Sequence, residues 1–460
     1  MAGALGIDFG TEYTRLVEAT EAGHLERVDS PQQQQNKTPS AIGFREVWLW
    51  GWSAAAYPEM VVWDLKELAC EKCLSRVAVY AAGGREYAAG DIISEFFRRM
   101  RQEMADRQPH VASLPTALCV PYAFGMRHRH LMRMAAEDAG FPLVGLINEP
   151  EAAVFGYGLH EAVTECNRQT VLVFDTGALR SSVCLLEIAK IDPGFTIELL
   201  ASRQAPGFRE FIRHFLPGEK ADPQADIKLA TMSTTLVAAL SEAVDESRDV
   251  TVETGEADVT ISADEARSEL EKWKVQIDRA LDDVFEVAEL HPRDVDVALP
   301  VGGGCSIQQV RQVLMHLPHV AEPPRGATHE GITARGTARY ASFLADDDTE
   351  PPFISPEIPP VGFKLADGTF HPVLEANHAV GAEAFRVYTS PDGQTLAFQP
   401  MEGFARRAAS NWALSKEEIT VQLEDPDDPV RAHMKRIDDF EVQLTIDGTI
   451  EPLKLQLELN

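Results

Sequence analysis

Basic residues are scarce in this chain. Lys and Arg number 42 against 72 Asp and Glu, a formal net charge of −30, which excludes broad binding to nucleic acid or anionic membrane, because either needs a basic face to displace counterions. The acidic excess reads as a solvated surface. No uninterrupted apolar run reaches the length of a membrane span, and no basic region or long apolar segment precedes the first strand pattern, so a secretory leader is not expected. Cysteine is sparse too. Of six, only Cys70 and Cys73 form a C-x-x-C pair, with no second pair at zinc-ribbon spacing, so reduced thiols in a cytoplasmic protein are expected. The 460 residues exceed what one core organises, which implies two or three domains.

What is present is a repeated turn. Leu5-Gly6-Ile7-Asp8-Phe9-Gly10-Thr11-Glu12 runs into the apolar stretch Tyr13 to Ala19, and Val171 to Gly177 repeats the design before Val183 to Ile188. Each reads as two strands joined by a tight turn with one carboxylate and one glycine. Such a turn suits a phosphate, since Gly10 admits close backbone approach and successive N–H groups form an anion nest; Asp8 suits a Mg²⁺ held through water. Two copies about a domain length apart suggest two related lobes facing one nucleotide.

Between the turns lie a polar loop over Ser30 to Ser40, an aromatic-rich strand region from Ala41 to Trp52, and Lys66, a single lysine among apolar neighbours that reads either as a surface residue or as one reaching a phosphate. Helical spacing marks Asp91 to Arg107 and Met126 to Ala139, closed by Gly140. Strands are expected at Thr116 to Pro121 and Leu143 to Ile147, the latter ending in Asn148-Glu149-Pro150. Strand, helix, strand in this order predicts parallel pairing, hence an α/β lobe.

Further on, helices are predicted near Thr231 to Ala243 and from Ala263 to Leu290, and strands at Val250 to Glu253 and Val295 to Val301. The last runs into Gly302-Gly303-Gly304 and a predicted helix from Ile307 to Leu317, a setting that favours a diphosphate or a base edge. Asp346-Asp347-Asp348-Thr349-Glu350-Pro351-Pro352 marks a boundary. Beyond it, turn signals at Asp367-Gly368, Pro391-Asp392-Gly393, Pro400 to Gly403 and Asp447-Gly448 separate short strands, and Phe440 to Ile446 and Leu453 to Leu459 alternate at strand period. A small β domain is expected.

With these pieces in order, the chain resembles the Hsp70 chaperone family of the actin-like ATPase superfamily. Val120-Pro121-Tyr122-Ala123-Phe124, Arg129, Asn148-Glu149-Pro150-Glu151-Ala152-Ala153 and Tyr157-Gly158 align without a gap to its VPAYF...QR...AG...INEPTAA..YG pattern, and Thr38-Pro39-Ser40 matches its TTPS loop. The resemblance implies an α/β fold: a two-lobed actin-like ATPase domain of duplicated ribonuclease H-like lobes, then a β-sandwich. The expected divisions are lobe I over about 1–165, lobe II over about 166–345, a linker at 346–358 and the β domain at 359–460. It implies ATP or ADP with Mg²⁺, extended or unfolded polypeptide as ligand, and J-domain or nucleotide-exchange co-chaperones as partners. Carried over by residue, Asp8, Gly10, Thr11 and Glu12 form the first phosphate loop, with Thr11 near the γ-phosphate. Lys66 positions the attacking water, Glu149 and Asp175 surround metal and water, and Asp8 and Asp175 are the metal carboxylates. Pro121 and Arg129 relay nucleotide state, Gly302, Gly303 and Gly304 lie on the adenosine side, and Glu330 stands where the family usually has Asp.

The second lobe departs from the family. Its D-L-G-G-G-T-F-D reads Asp175-Thr176-Gly177-Ala178-Leu179-Arg180-Ser181-Ser182, so side chains replace two glycines, which penalises left-handed turn geometry, and Ser182 replaces the second acid. Arg180 is expected to contact a phosphate and partly substitute for metal charge. The E-x-x-K-x-x-x-S helix aligns with Thr234, Val237 and Ser241, retaining the serine. G-G-S-T-R becomes Gly302-Gly303-Gly304-Cys305-Ser306, and L-G-G-x-D-F-D survives as Pro206-Gly207. The linker has the family's acid without its leucines, and no helical lid is expected after Asn460, so bound peptide should leave quickly. An ATP-hydrolysing chaperone and a catalytically weak nucleotide sensor or scaffold are the two readings. A small-molecule kinase of the same superfamily has no visible sugar site.

Overall fold

A computed structural model describes residues 2–33, 35–57, 60–72, 80–82, 84–162, 168–192, 194–215, 223–253, 258–390, 394–415, 417–423, 429–447 and 452–456. Cys73, the turn residues 391–393, Gly448 and residues 457–459 lie outside them, as do the side chains of Cys70 and Thr234. Among the described residues no helix is long and apolar enough to cross a membrane.

The first strand, Ala4–Phe9, is buried at every position, as an apolar strand must be when covered on both faces. Around it the sheet runs Leu143–Asn148, Thr116–Val120, Ala4–Phe9, Tyr13–Ala19, Leu25–Val28. The first three are mutually parallel, as the strand-helix-strand order requires, and Tyr13–Ala19 returns antiparallel. Helix Ala89–Arg107 packs Ile92, Phe96, Phe97 and Met100 against Leu5, Ile7 and Phe9. On the other face, helix Ile332–Leu344 lays Ala334 and Ala338 over Val17 and Ala19. That helix also meets helix Glu149–Tyr157, where a Cβ on Gly336 would collide with the Ala152 carbonyl. Small residues let the two backbones touch.

The second sheet repeats the plan: Phe195–Pro206, Arg180–Lys190, Arg168–Thr176, Val297–Val301. Its hairpin partners are antiparallel, and Val297–Val301 lies parallel to Arg168–Thr176. Asp8 faces Arg15 across the first hairpin and Asp175 faces Ser182 across the second, so the two turns share one register. Helix Ala263–Ala288 buries Leu270, Trp273, Ile277, Leu281 and Val284 against this sheet's core.

Two expectations change. The helix predicted over Ile307 to Leu317 is broken into Gly303–Ser306 (3₁₀), Gln308–Arg311 (α) and Gln312–Leu314 (3₁₀). Burying Ile307, Val310 and Val313 at spacing three suits a three-residue turn. With no full helix, the helix-dipole argument for this place falls. Second, Ala178, Leu179 and Arg180 all have negative φ, since none is among the positive-φ residues. The turn therefore tolerates its side chains without left-handed strain.

Beyond residue 360, Val361–Lys364 pairs antiparallel with Phe370–Leu374 and Thr395–Glu402. A second sheet runs Glu383–Tyr388, Val430–Arg436, Glu441–Ile446, Leu453–Gln456. Phe363, Val373, Phe398, Met434 and Leu444 fill one core between the sheets. The chain is thus a two-lobed actin-like α/β body followed by a β-sandwich.

Candidate functional site

One cavity of about 1100 Å³ opens between the lobes. Asp8, Gly10, Thr11, Glu12, Lys66, Glu149, Asp175, Gly177, Arg180, Ser241, Gly302, Gly303, Gly304 and Glu330 all line it. Gly207 is not on the wall. Backbone N–H groups of Gly207, Phe208 and Arg209 donate instead to the carbonyls of Leu179 (2.9 Å), Gly177 (2.9 Å) and Ala178 (2.7 Å), which fixes the second turn from behind.

The two turns are built alike. A Cβ on Gly10 would lie 2.5 Å from the Tyr13 carbonyl, and one on Gly177 2.6 Å from the Arg180 carbonyl. Ser40, wholly buried, donates to the Gly10 carbonyl at 2.7 Å and pairs with the Thr14 hydroxyl at 2.9 Å, so the Thr38-Pro39-Ser40 loop braces the first turn. Gly302, at φ 90, admits Asp175: a Cβ there would come 2.6 Å from Oδ1.

Charge is concentrated and paired here. Lys66 forms an ion pair with Glu149; burial works against its ammonium, but the surrounding negative groups outweigh it and hold the amine charged. Burial pushes the Asp8 carboxyl up against the pull of Lys66 and Arg15, and Asp8 accepts from the Cys119 thiol at 3.4 Å. Burial and then the charge of Glu149 push Asp175 up to about 7. Among the described residues, the ligand atoms of Asp8, Cys119 and Glu149 lie within 4.8 Å of one another; Asp175 is not in that group. A thiol is a poor Mg²⁺ ligand and Glu149 is engaged by Lys66, which leaves Asp8 as the oxygen donor of that group best suited to a hard cation.

Six basic side chains (Arg15, Lys37, Lys66, Arg180, Arg203, Arg209) face six carboxylates (Asp8, Glu12, Glu67, Glu149, Asp175, Glu330) on this wall. Among the described residues of this wall, three arginines form ion pairs that cross between the lobes. Arg15 binds Glu330. Arg180, half-exposed, binds Glu67 and, at 3.1 Å, Gln204. Arg209, only 2% exposed, donates through Nε to Glu12 (3.1 Å) and through Nη1 to Asp64 (2.7 Å). Burial opposes its charge, and Glu12 and Asp64 outweigh that.

Sequence reasoning missed Arg209. The available signal was its place two residues after Gly207, where the L-G-G-x-D-F-D pattern carries an acid. On the base side, Val237, Ala238 and Ser241 line the wall, with the Ser241 hydroxyl donating to Asp245 at 3.0 Å.

The β-sandwich closes one side of the cavity through Phe404 and residues 409–414. Its Arg406 and Arg407 N–H groups donate to the carbonyls of Leu199 (2.8 Å) and Leu200 (3.2 Å). Arg129, buried, donates to the carbonyls of Phe124 and Pro121 and to Asn148 Oδ1, and its guanidinium sits 4.6 Å from the Phe404 ring centroid. Glu402 accepts from the Met126 N–H at 3.0 Å.

The segment before the sandwich also docks, without leucines. Phe353 stacks on Phe195 at 5.6 Å, Ser355 donates to Glu151, and Glu357 pairs with Arg133 and accepts from the Leu146 N–H. Glu151, where the family pattern has Thr, also accepts from the Tyr122 hydroxyl at 2.7 Å. Its importance was not legible from sequence.

Comparison with known proteins points the same way. A family model described as Hsp70 protein matches residues 57–203, a stretch that includes Lys66, Glu149, Asp175 and Arg180. The chaperone protein DnaK of Mycoplasma mycoides subsp. mycoides SC is 24% identical over 435 residues, covering 90% of this chain and 72% of the relative. That of Deinococcus radiodurans is 24% identical over 467 residues, with the same two shares, 90% and 72%.

Proposed function

The chain is a member of the Hsp70 family, and from that premise we propose that its cleft binds and hydrolyses ATP and couples the nucleotide to the holding of extended polypeptide by the β domain. The observation that carries this reading is convergence: residues from Asp8 to Glu330, separated along nearly the whole first part of the chain, meet on one cavity. We take 1–345 as the nucleotide-binding domain, 346–358 as linker and 359–460 as the polypeptide-binding domain.

Roles follow from chemistry. The Thr11 hydroxyl and the Gly10 and Gly177 turns hold terminal phosphates, and Lys66, its amine fixed by Glu149, orients the attacking water. Asp175, its proton affinity raised by burial and by Glu149, would accept a proton from that water. We assign the carboxylates of Asp8, buried, and Asp175, half-buried, to a Mg²⁺, which would supply charge neutralisation for the phosphates. Gly302, Gly303, Gly304, Ser241 and Glu330 serve the nucleoside side. In the β domain, Phe385 and Val387 are about half exposed on the terminal strand Glu383–Tyr388, and an apolar polypeptide adding beside that strand suits such an edge.

A second reading, a nucleotide sensor or scaffold with weak hydrolysis, is favoured by Ser182 in place of an acid and by Arg180 being tied to Glu67. Thermal melting and phosphate release with ATP and Mg²⁺ test both. We expect ATP to raise the melting temperature and phosphate release to be lost in Lys66→Ala. A shift without release selects the sensor; no shift refutes nucleotide binding.

A further inference from the structure

We propose that Arg209 is a resident cation for the terminal phosphates, so that this cleft holds part of a nucleotide's charge without metal. The inference rests on the nucleotide reading above and adds to it a specific residue. Arg209 is 98% removed from solvent by its 2% exposure, and a guanidinium so buried needs its donors used. Two are: Nε serves Glu12 and Nη1 serves Asp64. Nη2 has no partner. Its residue lines the cavity together with the Gly10–Thr11 turn and with Gly177 and Ala178.

Position makes the orphan donor meaningful. The Arg209 N–H is bound to the Ala178 carbonyl at 2.7 Å, next to Phe208 N–H on Gly177 at 2.9 Å, so the side chain is rooted on the second turn. Its Glu12 partner belongs to the first. The guanidinium therefore spans the two turns, and its planar fork matches phosphate oxygens in a way an ammonium does not. Glu12 and Asp64 keep it charged and leave Nη2 without a partner. Glu12 also competes with phosphate for it by like charge.

The test is binding of AMP, ADP and ATP to the full chain by calorimetry, in Mg²⁺ and in EDTA. For the wild type we expect affinity to rise with phosphate number even in EDTA, and the loss on removing Mg²⁺ to stay within about tenfold. Arg209→Gln should weaken ATP by about tenfold or more in EDTA, leave AMP within about twofold, and steepen the dependence on Mg²⁺. Arg209→Lys should recover part of the ATP affinity, and Glu12→Gln should raise it. These changes match the loss of one charge-assisted contact.

A clasp that only holds the lobes together predicts equal losses for all three nucleotides, and that result, or an unchanged phosphate ladder in both Arg209 variants, overturns the proposal while nucleotide binding stands. A wild type that binds no nucleotide in Mg²⁺ overturns both. Should Arg209→Gln fail to fold, the Lys variant and Glu12→Gln decide.

Discussion

Burial drives the Glu402 carboxyl from an ordinary 4.5 up to about 7, against the opposing charges of Arg129, Arg127 and Arg436. Between those values the folded chain keeps a proton that the unfolded chain has lost, so this group's stabilisation is full below about 4.5 and declines as pH rises towards about 7; the displacement corresponds to about 3 kcal/mol. Glu402→Gln keeps an acceptor for the Met126 N–H and removes the titration. Its melting temperature should lose much of the wild-type decline between pH 5 and 7, and an unchanged slope would refute the assignment. A second residue-scale expectation concerns Gly302, whose positive φ and contact with Asp175 leave no room for a side chain. Gly302→Ala should cost about 1–3 kcal/mol by denaturant melting.

Legibility at this scale divided by sequence distance. Asp8 and Asp175 announced themselves because strand, acid and glycine are local, and a turn's chemistry is written in adjacent residues. Arg209 did not, because its meaning lies in Glu12, 197 positions away. Cys119 beside Asp8 likewise follows from parallel pairing of distant strands.

Elements were read well where periodicity is strong. Helix Ala263–Ala288 shows its apolar stripe, and strand Glu441–Ile446 its alternation. The stretch from Ile307 misled because burial at spacing three mimics a helix over so short a run. The linker at 346–358 was read, from Asp346 to Pro352, as acidic and lacking leucine; it attaches through the Phe353 ring, the Ser355 hydroxyl and the Glu357 carboxylate, together with backbone bonds such as Phe195 N–H to the Pro352 carbonyl. Phe353→Ala should therefore loosen it, costing about 3–4 kcal/mol for a buried ring. Ser355→Ala leaves Glu151 one donor short and should cost about 1–3 kcal/mol. Limited proteolysis between residues 345 and 360 reads both; cleavage no faster than wild type in either variant would count against this attachment.

Across the whole molecule, the seam between the α/β body and the sandwich combines backbone bonds, a buried arginine and surface ion pairs, and their magnitudes differ. Arg406 pairs with Glu198 and Glu187, yet it is 42% exposed, so solvent screening leaves such pairs about 0–1 kcal/mol. Phe404 under Arg129 is the stronger tie. Phe404→Ala should expand the particle in small-angle scattering, whereas Arg406→Ala should change it little; the reverse ranking would show that the ion pairs hold the seam.

Because residues 409–414 of the sandwich form part of the cavity wall, the molecule carries its own optical reporter. The chain has six tryptophans, and Trp412 stands on that wall. Its indole senses a ligand's polarity and the sandwich's departure alike. Emission from a variant retaining only Trp412 would separate the two in time: a spectral change at the rate of nucleotide mixing reports the ligand on that wall, and a second, slower phase would report a movement of the sandwich.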